Sequence, residues 1–189
     1  MSIDGDTAVV GATAGDFPGI GGNKGFAYVF TRKGTVWTQQ AKLTANDSIG
    51  YSVAVDGDTA VVGAQTFNAG AAYVFVRDAS GDWTEPVQLT ASDGMPEDKF
   101  GISVSVDGDT VLVGAYVDNG IYPGYAYVFT RSKTGWKQGA KLIPSDGVPN
   151  DYFGNGVSAH GNTAMVGAPG LNEMVGSVYE YHLDGKAGN

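Results

Sequence analysis

The chain has no cysteine and only two histidines among its 189 residues. Without thiols there is no disulfide framework and no thiolate nucleophile or ligand. His160 and His182 alone cannot supply a histidine triad or a zinc cluster. Basic residues are scarce as well: 11 Lys and Arg stand against 20 Asp and Glu, a formal net charge of −9. Nucleic acids and anionic membranes ask for a basic face, so neither is expected as a partner. No apolar run approaches the ~20 residues of a membrane span. Helix-friendly stretches are almost missing, and so are a G-x-S-x-G elbow, a P-loop and an H-E-x-x-H motif. The glycines Gly19, Gly21 and Gly22 do not lead a strand into a helix, which argues against a nucleotide loop. These absences predict a protein that is not an enzyme. Carbohydrate chemistry by a carboxylate pair in a cleft is the one enzymatic alternative.

What the sequence does have is repetition. Residues 100–115, FGISVSVDGDTVLVGA, return as IGYSVAVDGDTAVVGA at 49–64, FGNGVSAHGNTAMVGAP at 153–169 and a clipped SIDGDTAVVGA at 2–12. A unit recurring roughly every 50 residues marks a repeat architecture, and period-two patterning with 30 glycines makes it a β architecture. Each unit divides into four strands, in the second repeat about 51–55, 59–64, 71–76 and 83–90. Val, Tyr, Phe and Thr fill these runs. Asp56-Gly57 and Asp107-Gly108 are two-residue hairpin signals. The third strand recurs as AYVF at 27–30, 72–75 and 126–129, loosening to SVYEY at 177–181. In the fourth, Trp37, Trp83 and Trp136 each precede a leucine (Leu43, Leu89, Leu142) by six residues. An even spacing predicts one shared face and a role in packing between units.

Four antiparallel strands in a unit of this length spell a β-propeller blade. The expected fold is therefore all-β: one domain over 1–189, with repeats near 1–48, 49–99, 100–152 and 153–189. Met1-Ser2 leads straight into a repeat, with no signal peptide, and the last repeat stops after its third strand. Open strand edges seek partners. The expectation is a segment of a larger ring or chains that complete one another, with a closed four-bladed ring as the alternative.

Phe100-Gly101 and Phe153-Gly154, followed after the second strand by Gly167-Ala168-Pro169, resemble the FG-GAP repeat. That repeat builds the integrin α-subunit propeller and many bacterial surface proteins. The short VDGDTAVVGA turns and the acidic lead-ins are closer to the bacterial type. Ile49-Gly50 stands in for Phe-Gly, and only the last repeat keeps the proline. The resemblance implies an extracellular or cell-surface propeller used for adhesion or binding of a protein or glycan. It also implies a Ca²⁺ loop of alternating Asp and Asn ligands between strands one and two. Calcium takes about six to eight oxygens, whereas here the loop is the two-residue turn Asp56-Gly57 and its equivalents. The calcium site is thus expected to be lost, with no cofactor in its place. Asp6, Asp58 and Asp109 are expected to bond the backbone of their own turns.

Two loop sets should share one propeller face. The loops 13–25, 65–70, 116–124 and 170–175 differ in length and content, as binding loops on a constant scaffold do. They carry the candidate ligand-binding residues Asp16, Phe17, Asn23, Lys24, Phe67, Asn68, Asp118, Asn119, Tyr122, Asn172 and Glu173. The acidic lead-ins on the same face make Asp93, Glu97, Asp98, Asp146, Asn150 and Asp151 weak candidates for a divalent cation. The alternative for Asp98 and Asp151 is that they tie down amides of their own loops. A second functional reading is a structural module whose open edges join copies into homo-oligomers.

Overall fold

The computed structural model describes residues 1–13, 24–64, 69–117, 121–170 and 175–183. All regular structure in these residues is antiparallel β. Blade 1 comprises β1 (Ser2–Asp4), β2 (Thr7–Ala12), β3 (Phe26–Lys33) and β4 (Val36–Leu43). Blade 2 comprises β5 (Val53–Asp56), β6 (Thr59–Ala64), β7 (Ala71–Val76) and β8 (Val87–Leu89). Blade 3 comprises β9 (Ser103–Asp107), β10 (Thr110–Ala115), β11 (Tyr125–Ser132) and β12 (Gly135–Leu142). Blade 4 comprises β13 (Gly156–His160), β14 (Thr163–Ala168) and β15 (Ser177–His182), three strands among the described residues. In every blade, strands sit side by side in chain order.

Blades pack through their faces, which is why these strands are apolar on both sides. One core cluster joins Val9, Val29 and Leu43 of blade 1 to Ala60, Val62 and Phe75 of blade 2. A second joins Val61, Val74 and Leu89 to Phe100, Val111 and Phe129. A third joins Leu112, Val128 and Leu142 to Phe153, Ala164 and Val166. All six residues of β6 are buried as a result. Removing one such side chain from water stabilises the fold by about 1.5–3 kcal/mol. The first strands β1, β5, β9 and β13 touch in succession, and the four sheets are arranged like propeller blades without closing into a ring. Met165 shows the open end: its equivalents Val61 and Leu112 are fully buried against a following blade, while Met165 is 38% exposed.

The shared face expected for Trp and Leu is corrected. Trp83 packs against the cluster between blades 1 and 2, and Leu89 lies in the cluster between blades 2 and 3. Trp136 and Leu142 are divided in the same way. A β-bulge between Tyr127 and Phe129, and another at Val29/Phe30, adds one residue to the outer strand of blades 3 and 1, so six residues no longer mean one side. In blade 2, Pro86 breaks the outer strand and leaves Trp83 in an isolated bridge to Arg77.

Candidate functional site

The chain's recurring letters are a blade-to-blade joint. Phe100 and Phe153 are fully buried, and Ile49 replaces them without loss of burial. The following glycines, Gly50, Gly101 and Gly154, have φ near +90 to +102°, a backbone that side chains disfavour. Each directs its carbonyl onto the Gly-Ala glycine of the previous blade. A Cβ on Gly11, Gly63 or Gly114 would stand 2.1, 2.0 or 1.9 Å from the carbonyl oxygen of Gly50, Gly101 or Gly154. Ser52 and Ser103 donate hydroxyl bonds to the same Gly101 and Gly154 carbonyls at 2.8 and 2.7 Å. Gly-Ala is therefore glycine because another backbone lies against it.

The hairpin turns form a second joint. The Gly57 N–H donates to Asp4 at 2.8 Å and the Gly108 N–H to Asp56 at 2.6 Å; the Gly161 N–H donates to Asp107. Each turn's first aspartate thus caps the turn of the next blade. The second aspartates do not bond their own turns as expected. Asp6, Asp58 and Asp109 pair with Arg32, Arg77 and Arg131 at 2.7, 2.7 and 3.4 Å. Those guanidinium groups lie 5.4, 5.6 and 4.8 Å from the ring centres of Trp37, Trp83 and Trp136. The signal in the sequence is an arginine at the end of every AYVF strand, Arg32, Arg77 and Arg131, where its planar fork suits both carboxylate and indole. The two carboxylates of each turn point to different partners, so the residues present do not fit a calcium ion.

The lead-ins and the β10–β11 and β6–β7 loops do lie together. Phe100 N–H donates to the Ala69 carbonyl and Phe153 N–H to the Pro123 carbonyl, at 2.9 and 2.7 Å; Gly25 N–H donates to Ser48 Oγ at 2.8 Å. On this face each lead-in aspartate accepts a bond from the AYVF-strand tyrosine of the next blade. Tyr73 donates to Asp47, Tyr127 to Asp93 at 3.0 Å and Tyr179 to Asp146 at 2.8 Å. Burial and then the carboxylate push the Tyr73 and Tyr127 hydroxyls well above the usual phenol range; for Tyr179 the bond to Asp146 is the leading cause. Lys141 reaches Asp93 at 2.7 Å, and that bond is the main reason Asp93 titrates below the ordinary carboxylate range.

The candidate cation residues are thereby placed. Asp98 is buried and accepts the Met95 N–H at 2.7 Å, while burial raises its pKa; Asp151 accepts the Val148 N–H at 2.8 Å. Both bonds are the loop-tying alternative. Glu97 and Asn150 occupy the left-handed region, at φ 72 and 71°. Asp93 and Asp146 serve tyrosines. Among the described residues no three His, Cys, Asp or Glu side chains gather as a metal cluster would.

Of the loop candidates, Lys24 is exposed and Tyr122 is 42% exposed, 6.1 Å from Tyr125. Asp16, Phe17, Asn23, Phe67, Asn68, Asp118, Asn119, Asn172 and Glu173 lie outside the described residues. The apolar neighbours Met95, Ile121 and Val148, which were not singled out from the sequence, are exposed on the same face. Gly147 packs on Pro123, which brings the loop of Val148 against that of Tyr122.

No curated protein matches the chain. The family model for the FG-GAP repeat matches residues 37–75, 83–129 and 136–181. The first and third matches start on the outer strand of one blade and the second at Trp83 just before β8; each ends on the third strand of the next blade, so the repeat unit spans the very joint described above. Matched over well more than half its length, with the glycine joint intact between all four blades, the chain belongs to the FG-GAP repeat family.

Proposed function

We propose that this protein is a binding propeller that engages a protein or glycan partner through its variable loop face. FG-GAP repeats are found in adhesion and binding modules, typically in extracellular or cell-surface proteins. An extracellular or cell-surface role in adhesion is the corresponding reading here. The observation that carries it is the set of exposed apolar side chains on that face: Ile121, Tyr122 and Val148 on two touching loops, and Met95 on the lead-in of blade 3. Apolar groups gathered on one surface among carboxylates and amides suit a partner that offers both stacking and hydrogen bonds. No catalytic group, cofactor or metal enters this reading.

Replacing Phe17, Phe67 and Tyr122 together by alanine tests it on a glycan array and in binding to cell-surface protein extracts. Binding should disappear while the melting temperature stays put. Unchanged binding would move the site off this face. The alternative, a structural module whose open strand edges join copies, has less behind it. Blade 4 carries Gly156, His160 and Glu180 where blade 3 has Ser103, Asp107 and Val128, and so lacks most groups that hold a following blade. Sedimentation that gives a monomer at every concentration would exclude it.

A further inference from the structure

A groove opens between the outer strands of blades 1 and 2. Thr44, Ala45, Asn46 and Asp47 form one wall, Glu85, Pro86 and Gln88 the other, with Tyr73 at its base and a volume of about 390 Å³. It continues past Thr44 and Glu85 to Trp83. Its origin lies in two substitutions peculiar to blade 2. Pro86 stands where blades 1 and 3 have Gln40 and Gly139, in the bulge, and β8 has three residues where β4 and β12 have eight. Gln88 stands where they have Lys42 and Lys141.

Lys141 shows what that position does when it is a lysine. Its Nζ lies 2.7 Å from Asp93 and 3.4 Å from the centre of the Tyr125 ring, while Tyr127 donates to the other oxygen of Asp93. Lys42 likewise sits over Phe26, 3.3 Å from its ring centre. Blade 2 keeps Asp47 with the Tyr73 hydroxyl bonded to it and adds Glu85 to the wall, while Ala71 stands where Tyr125 does and Gln88 bonds the Tyr73 hydroxyl. Among the described residues neither Asp47 nor Glu85 has a cationic partner.

We propose that this groove binds the side chain of a lysine from a partner protein. Its ammonium meets Asp47 and Tyr73 as Lys141 meets Asp93 and Tyr127 one blade on, and its methylene stem lies along Ala45 and Pro86. An ammonium is favoured over a guanidinium because the equivalent slot one blade on is filled by a lysine tip, Lys141, set against the single carboxylate of Asp93. The groove lies apart from Tyr122 and does not depend on the loop-face reading.

The test uses the whole isotope-labelled chain and Nα-acetyl-lysine methylamide, with the norleucine analogue as the uncharged control. The lysine probe should shift the amide resonances of Asp47, Tyr73 and Gln88, saturably and less so at high salt, while norleucine leaves them in place. Asp47→Asn should weaken binding at least tenfold. Gln88→Lys supplies the chain's own ammonium and should abolish binding with the fold preserved, so loss of the site is separable from unfolding. Equal shifts with norleucine, undiminished binding to Gln88→Lys, or no shift at all in the parent chain would each overturn the proposal.

Discussion

Substituting alanine at one motif position in two different blades should give opposite results. Gly114 and Gly167 are equivalent glycines in the second strands of blades 3 and 4, and neither has the left-handed backbone that would itself penalise a side chain. At Gly114 the new Cβ would stand 1.9 Å from the Gly154 carbonyl oxygen and 2.3 Å from Ser103 Oγ. Neither can withdraw alone, because Gly154 N–H is bonded to Gly167 and Ser103 holds that same carbonyl. Relief requires blades 3 and 4 to part. Overpacking costs about 1–3 kcal/mol and occasionally more, and a contact this short with backbone belongs at the upper end. At ~2–4 °C per kcal/mol for a chain of this size, Gly114→Ala should lower Tm by roughly 6–12 °C. At Gly167 the nearest atom is 3.6 Å away, an ordinary contact. There alanine meets open space and restricts the unfolded chain, a gain of about 0.4–1 kcal/mol. Urea and thermal unfolding of the two variants decide the matter. Equal losses at both positions would refute the reading of this glycine as a seat for the next blade.

The remaining predictions concern the lead-ins. The folded-state pKa of Asp93 is depressed, so its contribution is present above the ordinary carboxylate pKa and is lost as pH falls through the lower folded value. Lys141→Met should therefore lower Tm at pH 7, with the difference from the parent narrowing below about pH 4; a difference flat across pH 2–7 would show that the pair does not couple. Glu97 holds φ 72° with an exposed side chain. Glu97→Gly should raise Tm slightly, since relief of about 1–2 kcal/mol of left-handed strain outweighs the extra freedom glycine brings to the unfolded chain. A fall in Tm would assign the Glu97 side chain a holding role.

The blades were legible because strand period and turn chemistry are local. Thr59–Ala64 is a short apolar run, Asp56-Gly57 turns, and both repeat, so neighbours in the chain decide the outcome. The two-residue length of the Asp56-Gly57 turn could be read in the same way. The placement of Trp37 and Trp136 could not, because a bulge is a property of two paired strands and its extra residue on the outer strand shows only against the partner strand. The partners of the turn aspartates stay hidden in the sequence for a similar reason. Asp58 reaches Arg77 across 19 residues and Asp56 reaches Gly108 across 52, distances that only the packed blades make short. The groove at Asp47 was invisible for the opposite cause: it arises from what Pro86 and Gln88 fail to do, and that shows only beside Lys141.

The chain of turn aspartates runs in one direction. Asp4, Asp56 and Asp107 each hold the blade that follows, and His160 at the end of the series holds none among the described residues. Among the described residues this series thus anchors blade 4 from behind only, and thermal opening of the isolated chain should begin there and travel backwards. Blades 2 and 3, gripped on both flanks, set the slowest amide exchange in the molecule.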